Sequence, residues 1–176
     1  MSNYTNFRDF KTFNSVFLLT IPIWLWMANG FVWEKSISQF ANSDSSPLAF
    51  GILMTMSWMT IFIDGFVERH RWYNWVCGLA LFGVTVFINT LFPWLHYSFA
   101  IVFFILPSIM MLYFSFKEKK RLVKIILKLA SSVVIFAGLG HFVFHLYSIL
   151  VLEWIGMFPM SAMLFYIIRF NKGLIK

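Results

Sequence analysis

Two histidines four residues apart, His141 and His145, carry the strongest chemical signal in this sequence. Residues at positions i and i+4 lie on one face of an α-helix, so the two imidazoles could bind one metal ion. His96 lies near the end of another apolar segment at a similar predicted depth. Three imidazoles and a water molecule form a common catalytic zinc site, and zinc makes that water nucleophilic at neutral pH. The sequence therefore predicts a metal site of His96, His141 and His145, with zinc as the expected ion.

Two carboxylates, Glu153 and Glu34, are predicted at the same end of the molecule as the histidines. Either could act as the catalytic general base that activates a metal-bound water. This set indicates a metal-dependent membrane enzyme acting on lipid at the extracytoplasmic side. The same residues also fit a proton relay, ligation of a b-type haem between two helices, or structural hydrogen bonding.

The His141/His145 element resembles part of the zinc site of the ceramidase and adiponectin-receptor hydrolases. That site combines a His-x-x-x-His helix with another histidine in a Ser-x-x-x-His context and with an aspartate. The resemblance is limited to the first element, because Phe92 occupies the serine position before His96. Asp64 is predicted roughly 25 Å from the histidines, at about 1.5 Å per helical residue. The sequence is therefore not assigned to that family.

The elements that must position these groups are long apolar segments. Of the 176 residues, 60% are hydrophobic and only 12% are charged. A helix that crosses the roughly 30 Å hydrocarbon layer needs about 20 mostly apolar residues. The sequence predicts an all-α membrane bundle, a single domain over residues 1–176. Its six transmembrane helices are predicted at about 13–33, 47–67, 73–92, 94–116, 125–145 and 150–168.

The positive charges predict the orientation of this bundle. Of the 14 Lys and Arg residues, all but Lys35 lie at the termini or in alternate connections between the apolar segments. Short loops rich in Lys and Arg stay on the cytoplasmic side, so both termini are predicted to be cytoplasmic. The expected location is the plasma membrane. The basic residues flank apolar segments instead of forming a soluble basic patch, which argues against a nucleic-acid partner.

A basic run follows the fourth apolar segment and predicts a partner at the cytoplasmic rim. Positive charges next to a membrane attract anionic lipid headgroups, and they could also bind a protein. The residues are Lys117, Lys120, Arg121, Lys124 and Lys128.

A weak internal similarity suggests duplication. Residues 95–98 (Leu-His-Tyr-Ser) and 145–148 (His-Leu-Tyr-Ser) lie at an outer turn, at or just before the start of a predicted helix that contains a proline, Pro107 and Pro159 respectively. This pattern favours a bundle built from repeated helical hairpins.

A second polar group is predicted at the cytoplasmic rim, where Asp64 is followed by residues 68–71, Glu-Arg-His-Arg. Asp64 is the member predicted to lie inside the membrane, where an isolated charge is costly. It therefore requires a proton or a Lys or Arg partner from another helix.

The catalytic set is incomplete, and no glycine-rich phosphate loop or hydrolase elbow is found in the sequence. The favoured hypothesis is consequently a bundle that binds or moves a small hydrophobic or lipid-like molecule, or that serves as a membrane accessory subunit. The metal-dependent enzyme is the alternative hypothesis.

Overall fold

A computed structural model of the protein describes residues 2–67, 71–146 and 148–170. Side chains are described within 12–67, 71–141, 143–146 and 148–167. The regular elements in these ranges are all helical. They are α1 (Ser2–Ala28), α2 (Pro47–Val67), α3 (Trp72–Val86), α4 (Pro93–Lys117), α5 (Arg121–Phe142) and α6 (Ile149–Phe170), with a 3-10 helix at Ile37–Asn42.

Four of the described helices are long and apolar enough to cross a membrane. These segments are Pro47–Val67, Pro93–Lys117, Arg121–His141 and Ile149–Ile167. The apolar parts of α1 and α3, Thr12–Ala28 and Trp72–Val86, are shorter. The predicted all-α membrane class is confirmed to this extent.

The outer surface of the bundle is apolar. Leu48, Leu122 and Trp94 are 76%, 70% and 86% exposed, and large apolar side chains are exposed on all six helices. Soluble proteins rarely expose contiguous apolar patches larger than a few hundred Å². A surface of this kind suits contact with lipid, which does not penalise exposed apolar groups.

The helices form a closed bundle in which α6 returns to α1. Trp154 on α6 donates its indole N–H to the Leu19 carbonyl at 2.7 Å. Ser161, further along α6, donates to the carbonyl of Ser15, which comes earlier in α1. The two helices are therefore antiparallel. α4 packs against α3, α5 and α6, and α6 packs against α1, α4 and α5, so these two helices have the most α-helical neighbours.

Two helices end earlier than the sequence predicts. α1 ends at Ala28 instead of 33, because Gly30 and Phe31 adopt positive φ angles of 64° and 65° that an α-helix does not allow. α3 ends at Val86 instead of 92, and the chain then turns before Pro93. Residues 87–92 are largely apolar, so the prediction from hydropathy placed the end of this helix too late in the chain.

The end of α5 also differs from the prediction, and this difference affects the predicted metal site. The helix ends at Phe142 instead of 145, and the Leu146 N–H donates to the Gly140 carbonyl at 2.9 Å. His145 lies in the turn that follows, with φ at 52°. The helical i, i+4 relation between His141 and His145 is therefore absent.

Residues 34–46, hereafter the inserted loop, fold into the bundle. Ile37 and Phe40 are buried in the core, although the segment is polar overall. The Ser36 hydroxyl caps the 3-10 helix by accepting the Gln39 N–H. The Leu150 N–H donates to the Lys35 carbonyl at 3.0 Å, which joins the loop to α6. The inserted loop closes one end of the bundle, called the loop end below. The end with the α4–α5 connection is called the basic end.

α2 and α3 form the most closely packed pair, because glycines remove side chains between them. A Cβ atom at Gly65 would lie 2.1 Å from the Trp75 backbone nitrogen. A Cβ atom at Gly78 would lie 2.6 Å from the Phe62 nitrogen. One glycine on each helix thus allows the two backbones to touch.

Tyr147, in the second half of the proposed repeat, lies outside the described residues, and the duplication stays a prediction.

We expect Gly65→Ala to destabilise the bundle by about 1–3 kcal/mol or more, since the added methyl group meets backbone that cannot move aside. Equilibrium unfolding in mixed SDS micelles measures this loss. The matched control is Gly51→Ala on the same helix, where a Cβ would have no atom within 4 Å. That control should be neutral or slightly stabilising, because alanine favours a helix. Equal losses for the two variants would contradict the proposed backbone contact.

Candidate functional site

His96 is held in one orientation near the loop end. The residue is only 3% exposed, and its Nδ1 atom lies 2.8 Å from the carbonyl oxygen of Phe87, the residue after α3. A carbonyl oxygen can only accept a hydrogen bond, so Nδ1 carries the proton. When the ring is neutral, Nε2 therefore carries a lone pair that can accept a hydrogen bond, a proton or a metal ion.

Glu153 is positioned by the inserted loop. One carboxylate oxygen accepts the backbone N–H of Ile37, at the start of the 3-10 helix, at 2.5 Å. The first N–H groups of a helix have no partner within the helix, and a carboxylate is a favourable acceptor for them. α6 therefore supplies the group that fixes the inserted loop in the bundle.

His96 and Glu153 line the same small cavity beneath the inserted loop. Its volume is about 20 Å³, and Ser38 is its third polar wall residue. The other walls are apolar side chains from α2, α3, α4, α6 and Ile37. A cavity of this size holds about one water molecule. The structure thus brings together two of the five predicted site residues.

The other three predicted residues lie elsewhere. His141 is half-buried on α5, and His145 is exposed in the turn after it. Glu34 accepts a hydrogen bond from the Asn29 amide at 3.2 Å. In the described part of the chain, no group of three or more His, Cys, Asp and Glu side chains is arranged to hold a metal ion. The structure therefore does not assemble the predicted ligand set of His96, His141 and His145.

Asp64 obtains its partner from the turn before α3. The Arg71 guanidinium lies 3.1 Å from one carboxylate oxygen, and the Asn74 amide donates to the other at 2.5 Å. The Asp64 and Arg71 side chains are only 3% and 12% exposed. This buried ion pair satisfies the requirement for an Arg or Lys partner. The other members of the predicted polar group, Glu68, Arg69 and His70, lie outside the described residues.

Sequence reasoning missed an interaction at the basic end. Tyr166 on α6 donates its hydroxyl to Glu118, the residue after α4, at 2.6 Å. This hydrogen bond, helped by the Lys120 backbone N–H, lowers the pKa of the Glu118 carboxyl. The single acid within the basic run is therefore engaged with α6. A tyrosine and a glutamate 48 residues apart leave no local signal that could have predicted the contact.

A groove between α4 and α5 was also missed. Its volume is about 820 Å³, and it opens on the outer face of the bundle, where Ile109, Phe116 and Ile135 are 56%, 67% and 64% exposed. Small side chains on the facing helices create the space. The lining residues are Ile105, Ser108, Ile109, Leu112, Phe116, Lys128, Ser131, Ser132, Val134, Ile135, Gly138, Leu139 and Val143.

Among the residues that the structure describes, Lys128 is the one cation that lines this groove. Its Nζ atom lies 5.7 Å from the centre of the Phe116 ring, at the basic end of the groove. A cation over the face of an aromatic ring is attracted to it, and a long lysine side chain can direct its charge towards the membrane surface. The groove therefore combines a long apolar body with one positively charged end.

The fold and these sites define an all-helical protein with an apolar outer face and four helices able to span a membrane. A family model matches residues 20–169, and the chain belongs to that family, described as a family of unknown function (DUF7103). No curated protein matches the chain significantly. No solved structure does so either.

We expect Asp64→Ala to destabilise the protein by about 3–5 kcal/mol, because it leaves the Arg71 charge buried without its carboxylate. Equilibrium unfolding in mixed SDS micelles measures the effect. The double variant Asp64→Leu/Arg71→Met removes both charges and should recover most of the loss. A loss below about 1 kcal/mol for Asp64→Ala, or no recovery in the double variant, would show that the pair is not a buried structural contact.

Proposed function

We propose that this protein is a multi-pass membrane protein that binds a lipid-like molecule with an anionic headgroup in the α4–α5 groove. The observation that carries the proposal is the groove itself, with apolar walls along its length and Lys128 at its basic end. The sequence predicted two kinds of partner, membrane lipids and a small hydrophobic ligand. In this proposal a membrane lipid is that ligand.

The length of the groove fits one lipid leaflet. The α4 wall extends from Ile105 to Phe116, and the α5 side extends from Lys128 to Val143, the residue after the helix. The α4 wall is about 16 Å long and the α5 side about 22 Å long, at about 1.5 Å per residue. Half of a hydrocarbon layer of roughly 30 Å is about 15 Å. An acyl chain from the leaflet at the basic end would fill the groove.

The polar atoms of the groove favour a hydrocarbon occupant. Each of its three serines donates its hydroxyl to a carbonyl of its own helix: Ser108 to Phe104, Ser131 to Lys128 and Ser132 to Leu129. These donors are already satisfied, so a ligand gains little from placing polar groups between the helices. Inside a bilayer the alternative surroundings are also apolar, so van der Waals contact between the walls and an acyl chain is what favours binding.

The charge at the basic end favours an anionic headgroup. The run from residue 117 to 128 contains six Lys and Arg residues and one acid, Glu118. Because Glu118 accepts the Tyr166 hydroxyl, its carboxylate is held against α6. Basic pockets between membrane helices attract anionic lipid headgroups, at about 1 kcal/mol per Lys or Arg near the surface.

The same proposal includes six membrane crossings with both termini in the cytoplasm, in the plasma membrane. α3 has 15 helical residues, about 22 Å at about 1.5 Å per residue. This is short for a bilayer, but the apolar turn that follows α3 extends the hydrophobic stretch. A short span is accommodated by local thinning of the bilayer at modest cost.

Lys128→Gln should lower the affinity for phosphatidylglycerol about fivefold, because it removes roughly 1 kcal/mol of headgroup attraction. Native mass spectrometry of the protein titrated with lipid measures the bound fraction. Affinity for zwitterionic phosphatidylcholine should be unchanged. The matched control is Lys119→Gln, which makes the same charge change in the same basic run but does not line the groove. An equal loss for Lys119→Gln would contradict a specific role for Lys128.

A second variant tests the apolar volume of the groove separately from the charge of Lys128. A Cβ atom at Gly138 meets no atom within 4 Å, so Gly138→Phe should place a ring in the groove without disturbing the fold. We expect it to reduce binding of both lipids, since it occupies the volume needed by the acyl chain. Unchanged binding of both lipids would mean that the acyl chain is held elsewhere.

The orientation is tested by labelling with a membrane-impermeant maleimide. Cys77, the sole cysteine in the sequence, is fully buried, so the wild-type chain should give no signal. Asp44→Cys in the inserted loop should react in intact cells, whereas Lys119→Cys should react only after permeabilisation. Reaction of Lys119→Cys in intact cells would overturn the proposed topology.

A further inference from the structure

Two hydrogen-bond acceptors border the cavity beneath the inserted loop. The neutral His96 ring donates through Nδ1 to the Phe87 carbonyl, which leaves the Nε2 lone pair as its other polar atom. The Glu153 carboxylate accepts the Ile37 N–H and has a second oxygen with free acceptor capacity. Both residues line this one cavity of about 20 Å³.

Two acceptors in the wall of one small cavity favour a donor inside it, since acceptors repel each other and burial without a partner is costly. The cavity holds about one water molecule, which can donate one hydrogen to each acceptor. Ser38, the other polar wall residue, already shares a hydrogen bond with Ser36 at 3.1 Å. The cavity, with these two acceptors in its wall, thus has room for one bound water.

We propose that His96 and Glu153 form a proton-binding site beneath the inserted loop. A proton from the solvent is taken up by the Nε2 lone pair of His96 and forms an N–H bond. The imidazolium then donates this hydrogen to the Glu153 carboxylate, directly or through the water. Release of the proton to solvent breaks the N–H bond and restores the neutral ring, so the cycle needs no other reactant.

The surroundings isolate this pair from other charges. The wall residues from α2 and α3 are apolar, and His96 and Glu153 are the titratable residues among those described at the cavity. Glu34 and Lys35 precede the 3-10 helix, and His141 lies on α5, but none of the three lines the cavity. The carboxylate is therefore the charge that most directly stabilises a proton on His96.

The site joins three elements. His96 is on α4, Glu153 is on α6, and the same carboxylate holds the inserted loop through Ile37. Charge-assisted hydrogen bonds are roughly twice as strong as neutral ones. Proton binding therefore strengthens the contact between α4 and α6 while the loop stays attached. This inference does not depend on lipid binding in the α4–α5 groove.

A double-mutant cycle tests the proposal. The full-length protein and its His96→Gln, Glu153→Gln and double variants are unfolded in mixed SDS micelles at about pH 5 and about pH 9, on either side of the ordinary range of histidine. EDTA is present throughout, which excludes a metal ion as the bridge. At the lower pH, the double variant should lose no more stability than the more damaging single variant, a coupling of about tenfold or more in the unfolding constant. At the higher pH, where only the shared water links the two residues, the coupling should fall well below its value at the lower pH.

The matched control is the pair His141→Gln and Glu153→Gln, whose losses should add at both pH values because His141 does not border the cavity. Additive losses for His96 and Glu153 at the lower pH would overturn the proposal. If a His96 variant does not fold, histidine-selective ¹⁵N NMR of the wild-type protein decides the matter. We expect the Nδ1–H tautomer for His96 at about pH 9, and the opposite tautomer would remove the lone pair on which the site depends.

Discussion

The structure depends on one constraint: polar side chains must find partners inside a bundle whose outer face is apolar. An unpaired polar group in such an interior costs several kcal/mol, whereas lipid accepts any number of apolar side chains. Three of the described titratable side chains meet this constraint with partners outside their own helix. Asp64 pairs with Arg71, His96 donates to the carbonyl of Phe87, and Glu153 accepts the Ile37 N–H. In each case, an irregular segment between helices supplies the partner, so the connections determine where the charged helical residues can lie.

The helix pairs use small residues in two different ways. Between α2 and α3, Gly65 and Gly78 allow direct backbone contact, which leaves no free volume. Between α4 and α5, Ser131 and Gly138 face a groove, and no neighbouring atom lies within 4 Å of a Cβ at Gly138. Small residues stabilise a pair of membrane helices only when the helices approach closely enough to use the space. The first pair is therefore closely packed, and the second leaves open space between its helices.

Several features could be predicted from the sequence because they depend on composition along the chain. Apolar length predicted helices at six positions, and the bounds of α2 are those that the sequence indicates, since Ser46 and Pro47 form a typical helix start. The requirement of Asp64 for a cationic partner followed from the cost of a buried charge. The convergence of His96 and Glu153 was expected from their common depth, although their shared cavity was not. His141 and His145 do not share a helix face, because hydropathy cannot detect the turn that removes His145 from α5.

The sequence by itself determined the all-helical class and the distribution of charge, because both follow from the chemistry of neighbouring residues. It also identified the basic run that gives the α4–α5 groove its charged end. Only the tertiary structure decided that a polar loop inserts into the core, that Tyr166 holds Glu118, and that His96 shares a cavity with Glu153 instead of His141. These contacts join residues far apart in the chain. They depend on how the helices rotate and on where each one ends, and a pattern of apolar and polar residues constrains both only loosely.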